Sequence, residues 1–162
     1  MKITRTIIWI GFLVIMLLFF WYGRFFKQAH VPGIVEFEFA NAVNGNILLL
    51  SWEDAGLLSL AKKLIWIDFL YIFFYVAVII TVSGRQVRNE SSVTLNALLR
   101  ANFFVAILAG LLDVTENILL LYNIYHFNKS YLSTCWIAGW KFILVGWIIL
   151  VWLISFLKSK IW

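Results

Sequence analysis

The sequence predicts an all-α integral membrane protein, a bundle of four transmembrane helices with a long, partly helical external loop between spans one and two. Three observations carry this reading. Apolar residues make up 64% of the 162 positions and charged residues 13%, whereas roughly a quarter of an ordinary soluble domain is charged. The apolar residues gather into four stretches close to the roughly 20 residues that a helix needs to cross the hydrocarbon core. Aromatic residues reach 19%, with nine tryptophans, as suits a chain with two lipid–water boundaries to anchor.

The first span is expected over about Thr6 to Tyr22, behind the basic residues Lys2 and Arg5. Its start resembles a signal peptide, but the apolar part is long, ends in Trp21 and Tyr22, and is followed by no small-x-small cleavage pattern. It is read as a retained span. The second covers about Leu64 to Val82, closed by Gly84, Arg85 and Arg88. Ser51 and Asp54 have the spacing of a capping box, so its helix is expected to begin before the apolar run. The third and fourth cover about Phe103 to Ile124 and Ile137 to Leu157, the last followed by Lys158 and Lys160. The whole chain, 1–162, forms one membrane domain in this reading.

Orientation follows from basic residues in short flanks. Lys2, Arg5, Arg85, Arg88, Arg100, Lys158 and Lys160 fall on one side, against Arg24, Lys27, Lys62, Lys63 and Lys129 on the other. Both termini are therefore expected in the cytoplasm, in a plasma membrane of the bacterial inner type. The loop from about Gly23 to Lys63 is then external and too long for a mere connector. Its Glu36-Phe37-Glu38-Phe39 and Ile47-Leu48-Leu49-Leu50 segments suit a lid lying in the interface or capping the bundle mouth.

This composition excludes a soluble enzyme, a disordered chain and a nucleic-acid reader. The net charge of +5 is spread without a dense basic run. A single cysteine, Cys135, leaves no internal disulfide and no thiol pair. His30 and His126 with Glu36 and Glu38 match no metal-ligand spacing, so no metal or cofactor is expected. The sequons at Asn89 and Asn128 carry no argument.

Charged groups within spans are costly and normally face the bundle interior or a water-filled cavity. Asp113, Glu116 and Asn117 stand at i, i+3 and i+4, on one helical face that continues through Ala109, Ala106 and Asn102 with Gly110 beside it. Small residues and amides on one ridge suit a tight helix interface, so the third span is expected at the centre. At least one of Asp113 and Glu116, one turn apart, is expected to be protonated at neutral pH, the ionised partner being met by Asn117, a tyrosine or a bound cation. In the second span Asp68, Tyr71 and Tyr75 share a face. Lys141 lies about as deep as Asp68, and either pairs with it or snorkels to the headgroups.

Together these residues predict an outward-facing acidic pocket, formed by Asp68, Tyr71, Tyr75, Asp113, Glu116, Asn117 and Lys141 under a lid carrying Glu36 and Glu38. Carboxylates among aromatic rings suit the binding, with transport as an extension, of a small molecule or lipid headgroup bearing a cationic or polar group. An accessory subunit whose buried charges pair with one another, and a lipid- or isoprenoid-directed enzyme using a buried carboxylate as acid or base, are the alternatives. The partners implied are membrane lipids, the ligand itself, and another membrane protein or a second copy of this chain, with no nucleic acid.

Overall fold

Four long apolar helices and two short ones account for the fold of the computed structural model, which describes residues 2–126 and 132–161. Lys129, the second sequon and the side chains of Lys2 and Lys160 lie outside the described residues. The helices are α1 (Lys2–Gln28), α2 (Ile34–Glu38), α3 (Ala42–Asp54), α4 (Leu58–Asn89), α5 (Val93–Tyr125) and α6 (Cys135–Ile161). Among the described residues α1, α4, α5 and α6 are long and apolar enough to cross a membrane. The protein is an all-α, four-span polytopic membrane protein.

The long helices outrun the apolar cores expected from sequence. At 33 residues, α5 is about 50 Å long by helical rise, well beyond a core of about 30 Å. Arg85, Arg88 and Arg100 therefore sit on helices, and only Glu90, Ser91 and Ser92 join α4 to α5. That turn is tight because the Glu90 carboxylate accepts the Ser92 N–H at 2.9 Å and Asn96 Nδ2 donates to the Val87 carbonyl at 2.8 Å.

The expected capping box at Ser51 is not one. Ser51 Oγ donates to the Leu48 carbonyl at 2.7 Å, inside the last turns of α3. The chain breaks after Asp54 because Gly56 takes φ +68, a left-handed conformation that closes a helix at little cost only for glycine. The second-span helix thus begins at Leu58. At the end of α1 His30 takes the same conformation, φ 56, and Val31 N–H bonds back to the Phe26 carbonyl before Pro32 turns the chain away.

Helix α1 packs along α4, α4 along α5, and α5 along α6, with a lighter α4–α6 contact. The apolar stretch of α5 is 44% buried inside the bundle and that of α1 only 6%, so α5 is central and α1 stands at the edge. Asn102, Ala106, Ala109, Gly110, Asp113, Glu116 and Asn117 are all buried, as their shared face predicts. A Cβ at Gly110 would come within 2.9 Å of Val76 Cγ2 and 3.5 Å of Ile72 Cγ2. Gly11 makes the matching approach of α1 to α4, where a Cβ would run into the Phe74 ring.

The loop between α1 and α4 is an ordered cap. Trp52 is fully buried between Phe26 and Phe37, with ring centroids at 5.4 and 4.9 Å. Its Nε1 donates to the Pro32 carbonyl at 2.7 Å. These rings join Leu48, Leu49, Leu64, Leu120 and Ile124 in one apolar core. Ile47 and Leu50 point away from it and are exposed. Thr134 Oγ1 donates to the Glu38 carbonyl at 2.7 Å and fastens the cap to the start of α6.

Candidate functional site

Beneath the cap, α2, α4, α5 and α6 bring four carboxylates and one ammonium together. Lys141 on α6 extends its Nζ into the bundle, 3.0 Å from Asp113 Oδ1, 3.2 Å from Glu38 Oε2 and 2.6 Å from Glu116 Oε2. The Lys141 and Asp113 side chains are each 9% exposed and Glu116 is wholly buried. Glu116 Oε2 is thus held by the Lys141 ammonium within the knot. Asp68 stands beside this knot and accepts from Asn117 Nδ2 at 2.7 Å.

Lys141 therefore neither snorkels nor pairs with Asp68. Three carboxylates draw it inward more strongly than one, and Asn117 already holds Asp68. The cation that meets both Asp113 and Glu116 is the protein's own lysine. Asn117 serves α4 instead of its neighbours on α5. Four carboxylates around one ammonium leave the cluster formally three negative charges in excess, and a cluster this buried needs protons or a cation to offset them. Burial pushes the Glu38 carboxyl above its ordinary range, against the opposing attraction of Lys141.

Two cavities meet at the knot. One, of about 400 Å³, is walled by Phe12 of α1 on one side and by Phe142, Val145, Ile149 and Trp152 of α6 on the other. Asp68, Tyr71, Tyr75, Asp113, Lys141 and Glu38 supply its polar surface. Tyr71 stacks on Phe12 with centroids 5.5 Å apart and lies 5.6 Å from the Tyr75 ring. The Tyr75 hydroxyl is buried beside Asp113. The second cavity, of about 470 Å³, runs under the cap between α1 and α4 and shares Val35, Glu38, Asp68 and Tyr71 with the first.

The structure thus gathers Asp68, Tyr71, Tyr75, Asp113 and Lys141 around one space, with Glu116 behind it and lining neither cavity. Asn117 reaches the cavity under the cap. The two lid carboxylates divide. Glu38 turns into the knot, whereas Glu36 is exposed and caps α2 by accepting the Gly33 N–H at 2.9 Å. Sequence reasoning missed the positioning residues. Buried Asn123 exchanges two hydrogen bonds with the Leu132 backbone, both 2.8 Å, and sets the entry to α6, hence the height of Lys141. A lone amide near the end of an apolar helix was the available signal. Among the described residues, no three His, Cys, Asp or Glu side chains are placed to hold a metal ion.

No family model matches the chain, and neither a curated protein nor a solved structure matches it.

Proposed function

We propose that the protein binds the cationic headgroup of an amphiphile, a lipid or lipid-like amine, in the acidic site beneath its cap. One observation carries this: an excess of carboxylates over cations at the polar floor of a largely apolar cavity bounded by α1 and α6. The apolar walls suit a hydrocarbon tail, the Tyr71 and Tyr75 rings suit an ammonium group, and Asp68 is the carboxylate outside the Lys141 knot. Binding is favoured over transport by a single chain. Beyond Asp113 toward the end that carries both termini, the buried polar side chains among the described residues are Asn102, Ser83 and Ser155, with Glu90 at the helix ends. Ser83 Oγ is already taken by Trp152 Nε1 at 2.9 Å. In the orientation we propose, both termini are cytoplasmic in a plasma membrane, and the cap and its site face outward.

The test uses dodecyltrimethylammonium and dodecyl sulfate, matched in chain length, added to protein in phosphatidylcholine nanodiscs and followed by native mass spectrometry. The ammonium amphiphile should be retained over the sulfate, and Asp68→Asn should weaken it about tenfold, the loss of one partly buried charge contact of about 1.4 kcal/mol. Equal retention of the two, or no effect of Asp68→Asn, contradicts the reading. A second reading is favoured by the saturation of Lys141. A knot that joins α2, α5 and α6 is also what an accessory subunit would need to hold its own fold for a partner helix. Under that reading neither amphiphile is retained.

A further inference from the structure

A further recess lies at the opposite end from the acidic site, where α1 begins and α4 and α6 finish. It measures about 630 Å³ and contains Arg5 and Arg85. Neither guanidinium has an ion-pair or hydrogen-bond partner among the described residues. The carboxylate in the recess is Glu90, and it is already committed: Ser92 N–H donates to it at 2.9 Å, Ser155 Oγ at 3.0 Å and Lys158 Nζ at 3.0 Å. The Ser92 N–H first, with Lys158 and Ser155, holds Glu90 below the usual carboxylate range, so it remains ionised and balanced by Lys158. The two arginines are left as uncompensated positive charge. Gln86 also lines the recess, and its Oε1 is buried with no donor. Trp9, Val82 and Phe156 add apolar wall, and Thr81 and Asn89 further polar surface.

We propose that this recess is a second binding site, for the phosphate headgroup of an anionic glycerophospholipid. Two guanidinium groups match the oxygens of a phosphodiester as forked donors. The recess sits where apolar spans give way to charged helix ends, so the acyl chains continue along the exposed apolar faces of α1 and α6. This site is independent of the acidic one in residues, charge sign and end of the bundle.

The experiment measures retention of dioleoylphosphatidylglycerol against dioleoylphosphatidylcholine by native mass spectrometry of detergent-solubilised protein. The parent should prefer the phosphatidylglycerol. The double variant Arg5→Gln/Arg85→Gln should lose that preference by roughly 30-fold, each basic side chain near an anionic headgroup contributing about a factor of five. Arg88 and Arg100 lie at the same end outside the recess. Arg88→Gln/Arg100→Gln, which removes the same charge, should keep the preference. Equal loss in the two double variants would show diffuse attraction and overturn the site, as would a parent without preference. Millimolar inorganic phosphate should leave the lipid bound, and its displacement by phosphate would reassign the recess to a soluble anion. Circular dichroism of each variant confirms that the helices are retained.

Discussion

Replacing Lys141 by methionine removes the ammonium from the knot while keeping an unbranched apolar side chain of similar length. At 3.0 Å from Asp113, a unit charge pair in an effective dielectric of 20 has a gross attraction of about 5.5 kcal/mol. Lys141 has two further carboxylates at 2.6 and 3.2 Å. Most of this gross attraction is offset by the desolvation of the four groups. What the variant loses is the balance, and stranding buried charges by removing one partner costs about 3–5 kcal/mol. On the scale of a chain of this size, that lowers the midpoint of thermal unfolding by about 6–20 °C. The assay is thermal unfolding of detergent-solubilised protein at neutral pH. The double variant Lys141→Met/Glu116→Gln should recover part of the loss, because Glu116 is wholly buried and its charge then has nothing to meet. A Lys141→Met protein as stable as the parent would refute the knot and restore the snorkelling lysine.

Three further outcomes follow from the geometry. Gly110→Leu forces a side chain against Val76 and Ile72 at the α4–α5 contact and should cost about 1–3 kcal/mol of stability, measured by thermal unfolding; normal stability would contradict the tight central packing. The folded state binds the Glu38 proton more tightly than the unfolded chain, because burial raises this carboxyl from 4.5. Stability therefore falls as pH rises from 4.5 through the raised folded value, and Glu38→Gln should flatten that part of the unfolding-versus-pH curve; an unchanged slope would remove Glu38 from the balance. In a Cys135→Ser background, a cysteine at exposed Asn44 should react with a membrane-impermeant thiol reagent in intact cells and one at Asn89 should not; the reverse pattern inverts the proposed orientation.

Much of this was legible in the sequence, for particular reasons. A single face of small residues and amides marks a central membrane helix because lipid offers no other place for Asn102, Asp113 and Asn117, and all three are buried. The partners of those groups were less legible. Depth along a helix follows from counting residues, but direction around it depends on neighbours, so Lys141 and Asp68 at similar depth proved to serve different partners. Glu36 and Glu38 look alike in an alternating segment. Once that segment is helical, one caps its own turn and the other points inward. Ser51 misled because a serine–acid spacing occurs at either end of a helix, and Gly56 decides which end this is.

Whether the cavity between α1 and α6 takes an ammonium amphiphile is decided most directly by photolabelling in place. A long-chain alkyltrimethylammonium with a diazirine in its tail, irradiated with the protein in phosphatidylcholine nanodiscs, should label peptides containing Phe12, Val145 and Ile148, which wall the cavity. Excess dodecyltrimethylammonium should suppress that labelling, and dodecyl sulfate should not. Labelling spread over outward-facing residues such as Phe104 and Leu111, with no competition by the ammonium compound, would contradict the account.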